Sequence, residues 1–164
     1  MAKIQQSALV KAIDQFNDMD ITAKEKIADE IYREQPNLLA SVIVLNQMGN
    51  RLEHVEVILN ILMVSYLALK NSGIKINKVS EKIQQKELEK LVNHANLTKN
   101  IDSKKEFEAM SRFVYDKSEE ILMAFVLSTM EEAGLADLPK ESSKYLMMSG
   151  INIVNCIGAA KAIK

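Results

Sequence analysis

The 32 residues from Leu38 to Leu69 hold 18 Leu, Ile, Val and Met side chains, and no other stretch constrains the fold as strongly. Met48-Gly49-Asn50 divides it into two apolar segments, with Pro36 ahead of it and Asn71-Ser72-Gly73 behind. Proline favours a helix start and glycine a left-handed stop, so the pattern predicts a buried helical hairpin over about 36–72. In the first arm Ser41, Asn46 and Gln47 point in different directions, which predicts a helix covered all round. In the second arm Glu53, Glu56 and Asn60 form one polar stripe at spacings of three and four, but the next positions on it are Val64 and Leu67. The solvent face therefore closes halfway along this helix. Two helices cannot bury their own outer surfaces, so further helices or a partner subunit must complete the burial.

Composition agrees with that picture. The 164 residues are 48% hydrophobic and 26% charged, with only 5 Gly and 2 Pro, which favours helices over a turn-rich β fold. The expectation is an all-α, single-domain bundle (1–164) of about seven helices around the hairpin. Val57 to Leu69 is the longest uncharged apolar run, well short of the roughly 20 residues a bilayer demands, so no membrane span is expected. The lone Cys156 cannot form an intramolecular disulfide, and the first residues lack an apolar leader core, which together suggest a cytoplasmic protein.

Local signals place the other helices. Ile4, Leu9, Ala12, Ile13 and Phe16 share a face in 2–18, and Thr22 with Glu25 reads as a capping box opening a second helix that ends before Pro36. Ile74 to Val79 reads as a linker, and Ser80 as the cap of a helix with Ile83, Leu88, Leu91, Val92 and Ala95 inward. A second capping box at Ser103 and Glu106 starts a pattern reaching Ala133, with Phe107, Met110, Phe113, Val114, Lys117, Ile121, Ala124, Phe125 and Ser128 in its inward series. At about 1.5 Å per residue it is long for one helix, so a break at Asp116 to Ser118 is an equal alternative. The last helix runs from Ser142 to about Ile163, with Ser149, Asn152 and Asn155 on a weakly polar outer side.

No chemical motif stands out. Phosphate-binding glycine loops and H-E-x-x-H are absent, and neither His54 nor His94 follows a Glu at the spacing of a di-iron bundle site. Glu53, His54 and Glu56 read as a polar helix start before they read as metal ligands. No catalytic residue, metal or cofactor is assigned, and an enzyme is disfavoured. The leading expectation is helix-mediated protein–protein interaction, as a homo-oligomer, with Val64, Leu67, Gly150, Ile153, Ile157 and Gly158 at the interface. Two alternatives remain. Residues 70–105 carry 9 basic and 4 acidic side chains while the flanks are net acidic, and Lys78, Lys82, Lys86 and Lys90 are spaced as one ridge for nucleic acid or another polyanion. Met63, Met110, Met123, Met147 and Met148 suit an adaptable pocket for an apolar small ligand.

Overall fold

The computed structural model describes residues 2–97 and 119–161. Among these are seven α-helices and one short 3-10 turn: α1 (Gln6–Asp18), α2 (Ile21–Glu34), α3 (Pro36–Gln47), α4 (Leu52–Ser72), α5 (Glu81–Leu97), α6 (Glu120–Glu132), the turn Leu135–Asp137, and α7 (Lys140–Ala159). No strand forms among the described residues, so the chain is an all-α bundle.

The hairpin α3–α4 is its centre. Every residue from Ile61 to Leu69 is buried, as the closing stripe requires. The cover comes from the chain itself, because α4 packs against α1, α3, α7, α6 and α2. Ser65 lies in this run with its hydroxyl donated to the Ile61 carbonyl at 2.7 Å, so this buried polar side chain is satisfied within its own helix. Gly73 then ends the helix at φ 66°, and the Ile74 N–H reaches back to the Leu69 carbonyl in a glycine C-cap. By length and composition α4 also qualifies as a bilayer-crossing helix, but 61% of its apolar window is buried inside the fold.

Several expectations are corrected. The cap of α2 is Asp20, whose carboxylate accepts the Ala23 N–H at 2.8 Å; it precedes Thr22 and takes over the capping role. Only one side of α3 is covered: Leu38, Leu39, Val42 and Leu45 are buried, whereas Ala40, Ile43, Val44 and Gln47, which share the other face, are exposed. On α6 the buried residues are Leu122, Met123, Val126, Leu127 and Met130, roughly the opposite side of the helix from the expected Ile121, Ala124, Phe125 and Ser128, of which Ser128 is exposed. Glu119 has non-helical dihedrals (φ −123°, ψ 62°), so α6 starts afresh and the phase counted from Phe107 does not carry into it. The second capping box, Phe107, Met110, Phe113, Val114 and Lys117 lie outside the described residues. The cap on α5 is as expected, Ser80 Oγ accepting the Ile83 N–H, but Leu88 is exposed rather than inward.

Two polar devices fix the packing. The buried Gln35 side chain donates to the Asn77 carbonyl and accepts the Val79 N–H, while Asn37 donates to the Val79 carbonyl. The linker 74–79 thus finds its partners in the α2–α3 corner, and Ile76 pairs across to Lys161 in an antiparallel bridge. Glu119, in the second device, pairs with Lys161, both side chains at most 3% exposed, and its other oxygen accepts the Ile4 N–H at 3.2 Å. One carboxylate joins the start of the chain, the start of α6 and the segment after α7.

Breaking one half of that ion pair leaves the other charge buried without a counterion. Glu119→Gln is expected to lower the unfolding free energy by about 3–5 kcal/mol in urea titration, and the apolar double variant Glu119→Leu with Lys161→Met by clearly less. A single variant within about 1 kcal/mol of wild type contradicts this assignment.

Candidate functional site

The residues expected at a subunit interface are largely interior. Val64 and Leu67 are covered within the chain, Ile153 and Ile157 are 1% exposed, and Gly150 is buried against α6. A Cβ on Gly150 would stand 2.7 Å from Met130 Sδ, so the glycine serves a close contact inside the fold. Only Gly158 is half-buried. These positions build the core and offer no docking surface.

The lysine ridge divides. Lys82, Lys86 and Lys90 are exposed on α5, but Lys78 precedes the helix and lines a different cleft. Lys90 is paired with Glu87 at 2.9 Å. The cleft that holds Lys78 measures about 540 Å³ and is lined also by Glu34, Tyr66, Lys70 and Lys75. Glu34 and Lys70 are engaged within the fold. The Tyr66 hydroxyl donates to Glu34 at 2.7 Å and to Glu30 at 3.1 Å, and Lys70 meets Glu30 at 2.8 Å. Burial, then the two carboxylates, push the Tyr66 phenol far above its usual range, while the Lys70 hydrogen bond, outweighing desolvation, holds Glu30 below its own. Both shifts lock the charge states of a structural network and move neither group towards neutral pH.

A different concavity lies between α3, α5 and α7, about 260 Å³ in volume. Its walls are Val44 and Met48 from α3, Leu88 from α5 and Tyr145 from α7, each 40–51% exposed although large and apolar. Leu38, Leu45, Met148, Ile153 and Cys156 make a buried floor. On α7 the residues Tyr145, Ser149, Asn152 and Cys156 recur at spacings of four, three and four, which brings them along one ridge into the groove. Among the described residues no Asp, Glu, Lys, Arg or His lines it.

The polar groups of this groove are incompletely paired. Gln84 anchors α5 by donating to the Asn37 carbonyl at 2.9 Å, and its own backbone carbonyl accepts from Asn152 Nδ2 at 3.3 Å. That bond fixes which end of the Asn152 amide is the donor. Asn152 Oδ1 and Ser149 Oγ are then buried atoms without a hydrogen-bond partner among the described residues. Buried polar atoms are normally satisfied, and these two are sealed from solvent between the helices and do not open onto the groove. Cys156 adds no nucleophile, because burial, reinforced by the charge of Glu87, pushes its thiol up to about 12 and keeps it protonated.

Sequence reasoning reached only part of this site. Met148 belonged to the expected methionine pocket and does line the groove; Met63, Met123 and Met147 are ordinary core, and Met110 lies outside the described residues. Val44, Met48, Leu88 and Tyr145 were missed. The available signal was Ser149 and Asn152, expected with Asn155 on the outer side of the last helix, which instead lie at a gap between helices. At the polar start of α4 Glu53 pairs with Arg51, and among the described residues no group of three or more candidate ligands is placed to hold a metal. No family model, curated protein or solved structure matches the chain, so the groove stands on its own geometry.

Proposed function

We propose that this chain is a non-enzymatic binding protein whose groove between α3, α5 and α7 holds an apolar ligand. The observation that carries this reading is the convergence, in one concavity, of four partly exposed apolar walls on a buried apolar floor. Exposed apolar side chains cost solubility unless they are used. A volume of about 260 Å³ lies just under the roughly 300–1,000 Å³ of sites that enclose drug-sized molecules, which suits a slender or partly protruding ligand. The neutral thiol and the absence of ionisable lining favour binding over chemistry. The neutral fluorophore N-phenylnaphthylamine is expected to brighten on addition to the protein. Val44→Glu or Leu88→Glu, both at partly exposed positions, is expected to weaken it by about tenfold. Unchanged affinity in both variants places the probe elsewhere and overturns the groove.

A second reading, protein–protein interaction as a homo-oligomer, is favoured by one observation. The uncovered face of α3, the following turn and the start of α4 expose Ile43, Met48 and, at 72%, Leu52. An apolar helix face left open in the single chain is the surface a second copy would cover. Light scattering after gel filtration is expected on this reading to give a dimer that Ile43→Glu returns to monomer; monomer alone at high micromolar concentration sinks it.

A further inference from the structure

We infer that the cleft between the C-terminal ends of α2 and α4 and the linker 74–79 takes an organic anion with an apolar body. It shares no lining residue with the groove and is a separate site. Its volume of about 540 Å³ falls inside the range of pockets that hold small molecules. Leu69, which is buried, and Ile74 and Ile76, which are half-buried, give it apolar surface for a ligand body. Three lysines line it against one acidic residue, Glu34, whose carboxylate is taken by the Tyr66 hydroxyl. Lys70 is committed to Glu30, whereas Lys75 and Lys78 are exposed and form no ion pair among the described residues. Neither is needed to offset a helix end, because Arg33 and Lys70 already stand in the last turns of α2 and α4. The backbone that carries them is pinned: Gln35 donates to the Asn77 carbonyl and accepts the Val79 N–H, and the Asn77 N–H reaches the Ala160 carbonyl at 2.7 Å. Less freedom is then lost when both lysines close on one negative group. A neutral ligand gains nothing from either lysine, and a cation is repelled by both.

The test compares anilinonaphthalenesulfonate with N-phenylnaphthylamine, two probes that share an aromatic body and differ by one sulfonate. Titrated at low salt into the full chain labelled with nitrogen-15, the sulfonate is expected to shift the amide signals of Lys75, Ile76 and Lys78. Lys75→Gln combined with Lys78→Gln, both at exposed positions, is expected to weaken the sulfonate about fivefold and to leave the neutral probe unchanged. Val44→Glu, a change in the groove, is expected to leave the three amide shifts in place. Sulfonate affinity that is the same in the lysine double variant overturns the anion site. Sulfonate shifts confined to Val44 and Leu88, and lost in Val44→Glu, place the anion in the groove; they overturn the cleft and leave the groove standing. Absence of any shift with the sulfonate overturns the anion site as well.

Discussion

A helix that is apolar around its whole circumference has to be surrounded, and the second half of α4 imposes that condition on every other element. Nine consecutive buried residues, Ile61 to Leu69, leave no side of the helix for water. Packing of α1, α2, α3, α6 and α7 against α4 is the consequence. The amphipathic helices therefore need supply only one apolar stripe each, which is what Leu9, Ala12 and Phe16 in α1 and Ile27 and Ile31 in α2 provide. Cross-links fix the arrangement rather than drive it: Asn71 reaches from α4 to the Ala8 carbonyl and the Gln15 side chain, and Tyr66 from α4 to Glu30 and Glu34 of α2.

The buried polar groups do a different task. Burial of apolar area is non-directional, so it does not by itself decide where irregular segments lie. Gln35 and Asn37 specify the path of the linker by matching its backbone donors and acceptors, and Glu119 with Lys161 ties distant parts of the chain at one point. A buried ion pair contributes little net stability after desolvation but makes the alternatives costly, since any misplaced packing strands a charge. Burial directs the helices around α4, and these groups determine the register in which they close.

The periodicity of single segments was legible in the sequence; the relation between segments was not. The hairpin, its glycine stop at Gly73, the Ser80 cap and the closure of the α4 stripe at Val64 and Leu67 all follow from local spacing, which geometry turns directly into faces. What spacing does not carry is which face meets which. Leu88 lies on the apolar side of α5, yet Leu91 is buried and Leu88 is left at the edge of a gap. Likewise the open side of α3 is as apolar as the covered one, so no pattern in Leu38 to Met48 distinguishes Val44 from Val42. The groove is a property of three helices that fail to close completely, and composition is blind to such a failure. Ser149 and Asn152 were visible as a polar stripe, but only the packing of α5 turned that stripe inward.

The same logic links fold to function. Because α4 is satisfied by its own chain, it offers little apolar surface beyond Leu52 at its start, and the exposed apolar side chains lie on other elements, with Val44, Met48, Leu88 and Tyr145 gathered around the groove. That argument depends on the claim that the single chain completes the burial of α4. Backbone hydrogen exchange, followed by mass spectrometry at low micromolar concentration, tests it most directly. Amides of Ile61 to Leu69 are expected to be the slowest in the protein and to keep their protection on dilution. Protection that falls as the protein is diluted, or exchange as fast as in α5, would show that a second chain supplies the cover and would contradict the account.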